Sequence, residues 1–312
     1  MHGAMLEDFL VQEFPHIRRA ALRQLMAGEG VHINGMPEAR NVRLRGFDLV
    51  EVCLPEDGFA SKVASGTADL PAVLTETASF LVIDKQAGLL SVPNRQGTAQ
   101  SVHAMLPALR SDADLRIVHR LDRETSGCLV LGKGLLAAQH FDRMLRDGRV
   151  HKEYLALVHG SLPRESRTIE LPLMPDPRRA GKTVVARGDE RTASDARTDL
   201  VVAAVHGDFS LLLLRPRTGR THQLRCHLAA IGHPIIADEL YGGRPLLLSE
   251  LKRGYKLRRG VRERALLERT FLHAARIGFP DLDGTDITVE SPLPDDLQTA
   301  LTRLERAEPV RT

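Results

Sequence analysis

Two hydrophobic patterns divide the chain. Between residues 4 and 53, Met5, Leu6, Phe9 and Leu10 fall at helical spacing, as do Ile17, Ala20, Ala21 and Leu25, until Gly28-Glu29-Gly30 stops the second run. Val31-His32-Ile33 then meets Asn34-Gly35, a strong hairpin signal, and short strands are expected at 42–44 and 49–52. Two helices on a small hairpin sheet are predicted. Next comes a stretch rich in Pro, Gly, Ser and Ala with few positions to bury, which reads as a linker over 55–77. Beyond it the apolar residues gather into runs at 80–84, 128–131, 154–158, 199–205 and 209–215, with helical stripes at 101–109, 135–147, 221–230 and 294–307. Strands outnumber helices and short turns join many of them. An α+β domain on a mixed, largely antiparallel sheet is expected over 78–312, after a small unit over 1–54.

A hydrophobic content of 43% supports a sizeable core, although aromatics supply only 4% and Trp is absent. The net charge of +3 points only mildly to an anionic partner. Cys53, Cys128 and Cys226 are far apart and form no CxxC pair, so neither a disulfide framework nor a thiolate zinc site is suggested, and a reducing cytoplasm fits. No apolar run approaches a membrane span, and the first residues lack the basic start and apolar core of a signal peptide. No membrane partner is expected.

Candidate chemistry concentrates in residues 118–133, VHRLDRETSGCLVLGK. Asp122 stands among His119, Arg120 and Arg123, ahead of a small-residue turn and a buried strand. An Asp before Thr and Ser can simply cap a turn. Cationic neighbours would instead keep a carboxylate charged for nucleophilic or electrostatic work. A second stretch, residues 215–241, runs from a strand through Thr218-Gly219-Arg220 into a helix expected to open at Thr221. That start would set Arg220 at a helix N-terminus, ready for a carboxylate or phosphate. His222, Cys226 and His227 lack the spacing of a metal site, and no metal or other cofactor is expected. Tyr154 heads a strand, either as an ordinary core aromatic or as a ring for stacking on a base. Residues 252–264 hold seven Lys or Arg, including Lys252, Arg253, Arg258 and Arg259, against Glu263 alone, which suggests a phosphate-contacting arm. Arg178, Arg179 and Lys182 form a smaller basic group.

In this order the segments resemble the RluA-type pseudouridine synthase family. HRLDRETSG is similar to its catalytic segment, KEYLALVHG to its tyrosine-bearing strand, and RTGRTHQLRCHLAAIGHPIIADELYG to its second signature. The likeness spans about residues 78–303, while residues 4–53 resemble the alpha-L RNA-binding motif of the ribosomal protein S-four type. It implies the pseudouridine synthase fold and an isomerase that turns uridine into pseudouridine without a cofactor. It further implies Asp122 as catalytic aspartate, Arg220 as its pairing arginine, Tyr154 against the base and Leu224 as an apolar wall. His119 and Arg120 would meet the substrate, Arg120 as a wedge. The expected partner of this monomer is RNA, ribosomal RNA of the large subunit ahead of transfer RNA; a non-catalytic assembly factor is the alternative. Gln86 departs from the family's usual Pro. The N-terminal unit holds six basic against seven acidic residues, so it should grip RNA weakly unless Arg18, Arg19 and Arg23 share a face.

Overall fold

The computed structural model describes residues 5–13, 19–28, 30–44, 48, 50–52, 70–93, 100–110, 114–188, 190–251, 255, 263 and 265–307. The chain forms two compact units, one of residues 1–69 with 94–99 and one of 70–93 with 100–312. In the smaller unit, helices α1 (Leu6–Glu13) and α2 (Arg19–Ala27) pack on strands β1 (Val31–Ile33), β2 (Met36–Pro37) and β3 (Val50–Val52). Asn34 and Gly35 both take positive φ, as the tight β1–β2 turn requires. Leu6, Leu10, Leu22, Leu25 and Val31 form its core. The strand expected at 42–44 is reduced to a single bridge between Met5 and Arg43. Arg23 is spent on an ion pair with Glu7 at 2.8 Å, while Arg18 and the Arg19 side chain lie outside the described residues.

The larger unit begins earlier than the expected linker allows. β4 (Ala72–Glu76) pairs antiparallel with β5 (Phe80–Lys85), so only residues before 70 are left to a linker, and 53–69 lie outside the described residues. There follow α3 (Val102–Leu109), β6 (Leu115–Ile117), β7 (Ser126–Lys133), α4 (Gly134–Arg146), β8 (His151–His159) and β9 (Arg167–Glu170). A hairpin of β10 (Leu173–Pro175) and β11 (Thr183–Val185) precedes β12 (Arg197–His206), β13 (Phe209–Pro216) and α5 (Gln223–Ala230). The described chain ends with α6 (Leu248–Leu251), β14 (Leu272–Pro280), β15 (Asp286–Glu290) and α7 (Asp295–Arg306).

Ten strands make one sheet in the order β4-β5-β7-β14-β8-β13-β12-β9, with β6 beside β7 and β15 beside β14. Among the described residues every ladder of this sheet is antiparallel except β7–β14, giving the mixed sheet that the alternation of elements predicts. Both faces of its centre are covered, which is why β5 and β7 read as unbroken apolar runs. Phe80 and Val82 meet Phe141 of α4 on one face, and Leu81 and Ile83 meet α3 on the other. Phe80 and Phe141 each stand edge-on to Phe279 at centroid distances of 5.1 and 5.2 Å. Burying each such side chain contributes roughly 1.5–3 kcal/mol. A third cluster joins β8, β12 and β13 to α5 and α7. No helix among the described residues is long and apolar enough to cross a membrane.

Candidate active site

Asp122 sits on the loop between β6 and β7. Its backbone carbonyl accepts the Thr125 N–H at 3.1 Å, so the residue does make the turn that its sequence context suggests. The loop is clamped from several sides. The Ser91 hydroxyl accepts the Leu121 N–H at 2.9 Å and donates to the Leu121 carbonyl at 3.0 Å. Lys85, fully buried, donates through Nζ to the carbonyls of Leu89 (2.8 Å), Gln86 (2.9 Å) and Arg123 (3.3 Å). Three acceptors match the three N–H bonds of an ammonium. Burial nevertheless pulls its pKa down to about 7, with the Asp122 charge opposing.

The cations flanking Asp122 in sequence are not its partners in space. His119 accepts the Val130 N–H on Nε2 at 2.9 Å and stacks on Phe141, and burial lowers its pKa to about 3. It is a neutral support for the loop through Nε2 and also lines the cavity beside Asp122. Arg123 turns to the Gly88 carbonyl, and Arg120 is exposed at the cavity rim. Instead the Asp122 carboxylate meets Arg225 Nη1 at 3.5 Å and His222 Nε2 at 3.8 Å.

This also corrects the expected Arg220 pair. Helix α5 begins at Gln223 because His222 takes a left-handed conformation, φ 52° and ψ 21°. The later start leaves Arg220 in the preceding turn, where its Nε donates to the Asp195 carbonyl at 3.0 Å. Arg225, in the first turn of α5, faces Asp122. Arg225 is itself braced, since Nε and Nη2 form a fork on Asp238 at 2.7 Å each. Its guanidinium lies 5.0 Å from the centroid of the Tyr241 ring, and the Tyr241 hydroxyl meets His222 Nδ1 at 3.1 Å. Burial lowers the His222 pKa while the Asp122 charge pulls the other way. The Asp238 turn is sterically demanding, for a side chain at Gly243 would overlap the Ile235 carbonyl.

Asp122, His222 and Arg225 line a cavity of about 960 Å³ that also takes in His119, Tyr154, Leu224, Lys152 and the Thr218–Thr221 turn, while Asp238 and Tyr241 brace Arg225 and His222 from behind. Burial, reinforced by the Asp122 charge, pushes the Tyr154 phenol well above its ordinary pKa, so its hydroxyl stays protonated. Leu224 is 7% exposed, its side chain closing the cavity against the core. His227 bonds the Thr198 hydroxyl and the Leu171 carbonyl, both at 3.0 Å, and so shares no ligand position with His222. Among the described residues no group of three metal-binding side chains occurs. Lys252, Arg253, Arg258 and Arg259 lie outside the described residues. Sequence reasoning missed Arg225, Asp238 and Tyr241, whose only signal was their place in one long motif with His222.

A family model described as RNA pseudouridylate synthase matches residues 79–230. The ribosomal large subunit pseudouridine synthase D of Xanthomonas campestris pv. campestris is 32% identical over 315 residues, covering 97% of this chain and 89% of that protein. The ribosomal large subunit pseudouridine synthase C of Yersinia pestis is 29% identical, with 99% and 94% covered. Among solved structures, human RNA pseudouridylate synthase domain containing 4 aligns with a TM-score of 0.58 at 24% identity, covering 76% of this chain and 94% of that one. Human RNA pseudouridylate synthase domain containing 1 aligns at 0.54 and 27% identity, covering 77% and 96%.

Proposed function

Since the chain belongs to the RNA pseudouridylate synthase family, isomerases that convert uridine to pseudouridine in RNA, we propose that Asp122 is its reacting carboxylate. The proposed substrate is large-subunit ribosomal RNA, the RNA that the names of both curated relatives state for those proteins. The observation that carries the reading is the convergence of Asp122, Arg225 and Tyr154 on one cavity of about 960 Å³. A uridine turned out of its stack fits such a space.

The reaction breaks the bond from the anomeric carbon of ribose to a uracil nitrogen and forms one to a uracil carbon. That carbon releases a proton and the nitrogen regains one, so the atoms balance without an oxidant or a group donor. Asp122 is suited to attack the anomeric carbon, or to stabilise its positive charge as the first bond breaks. Arg225, held by Asp238, fixes the direction of that carboxylate. The neutral Tyr154 ring and Leu224 offer uracil an apolar surface on which to turn. Arg120 is the proposed wedge filling the vacated stack. The N-terminal unit is read as an auxiliary RNA-binding module, with Arg23 already committed to Glu7.

The test is pseudouridine mapping in ribosomal and transfer RNA from cells with the wild-type gene, without it, and with Asp122→Asn. The expected result is loss of the same ribosomal sites in the deletion and in the Asn strain. Persistence of those sites in the Asn strain would refute the role of Asp122. Loss from transfer RNA alone would refute the substrate.

A further inference from the structure

The cations of the cavity are unequally engaged. Arg225 is held by Asp238, Arg215 by Glu153 at 2.7 Å, Arg217 by Asp199 at 2.7 Å and Arg146 by Asp142 at 3.0 Å. Arg220 has the Asp195 carbonyl. Arg120 and Lys152 have no hydrogen-bond or ion-pair partner among the described residues, but Arg120 is exposed to solvent whereas Lys152 lines the cavity half-buried. A partly desolvated ammonium without an acceptor is unfavourable unless a ligand supplies the counter-charge. Burial accordingly lowers its pKa.

Its setting identifies the ligand. Lys152 and Tyr154 are two positions apart on β8, so they share a face and stand about 6.6 Å apart along the strand. A base lying on Tyr154 would therefore have its own backbone within reach of the ammonium. Across the cavity, a Cβ built on Gly219 would come within 3.7 Å of Lys152 Nζ. Any longer side chain there would cover the ammonium, and glycine leaves the approach open. The anion that RNA offers at this position is a phosphodiester, which lysine binds as a point charge.

We propose that Lys152, approached over Gly219, grips a backbone phosphate adjoining the uridine whose base packs on Tyr154. This rests on the reading of the cavity as the uridine site. In this role Lys152 is a binding residue that sets the register of the nucleotide over Asp122.

The experiment measures binding of the large-subunit ribosomal RNA transcript by the full chain carrying Asp122→Asn, as a function of salt and without turnover. Adding Lys152→Met should weaken binding about tenfold and reduce the slope of log K against log salt by about 1. Lys152→Arg should keep the slope. Gly219→Leu should reproduce the loss, yet add little to Lys152→Met, because both block one contact. Thermal midpoints should not fall in Lys152→Met, since an unpartnered charge is being removed. An unchanged slope, full additivity of the two substitutions, or a marked loss of stability would each overturn the proposal. Turnover assayed separately in the Asp122 protein tells the two readings apart. A lowered slope with no pseudouridine formed would leave the phosphate grip standing and sink the uridine site, and an unchanged slope with full turnover would do the reverse.

Discussion

Replacing Arg225 with Met should separate stability from catalysis. Its fork on Asp238 has both bonds at 2.7 Å, and the two side chains are only 11% and 1% exposed. Removing the arginine strands a buried carboxylate, which costs about 3–5 kcal/mol. At a urea m-value of about 3 kcal/mol/M, the unfolding midpoint should drop by roughly 1–1.7 M. Tyrosine fluorescence suits the assay, because the chain has no Trp and all three tyrosines belong to the larger unit. The double variant Arg225→Met, Asp238→Leu removes both charges and should recover most of the midpoint, since a buried pair and an apolar replacement differ little in stability. Its activity should not recover. Asp122 has lost the guanidinium at 3.5 Å, and single-turnover pseudouridine formation should stay at least about 100-fold down, the effect of removing one aligned donor. A double variant as unstable as the single one would refute the electrostatic account of the pair. Wild-type turnover in either variant would refute the role of Arg225 in orienting Asp122.

Two further substitutions probe the scaffold. Gly127 has φ 111°, and a side chain there would overlap the Ala274 carbonyl in the parallel β7–β14 pairing, so Gly127→Ala should cost at least about 3 kcal/mol; a urea midpoint close to wild type would contradict this. Folded His119 stays neutral down to about pH 3, whereas the unfolded imidazole protonates near 6.5, so acid favours unfolding across that window. His119→Gln should therefore lose stability less steeply between those pH values, by up to about 1.4 kcal/mol per pH unit, and parallel stability–pH curves for the two proteins would disprove it.

Much of this molecule was determined by local sequence. The unbroken apolar runs of β5 and β7 already require a sheet covered on both faces, and Asn34-Gly35 and the Asp122 turn follow from the chemistry of neighbouring residues. Segment order was enough to suggest the family and to single out Asp122 and Tyr154. Other features depended on contacts that no local window contains. The Pro- and Gly-rich composition before residue 70 hid the edge strand β4, which exists because β5 offers it a ladder. His119 looked like a cation beside Asp122 until burial against Phe141 and the Val130 N–H made it neutral. The choice of Arg225 over Arg220 turned on a single backbone conformation at His222, which delays the helix and changes which arginine faces the loop. Arg225 reaches Asp122 across 103 residues of chain. Periodicity and propensity report what a residue's sequence neighbours demand, whereas ion pairing depends on which side chains the finished fold desolvates together.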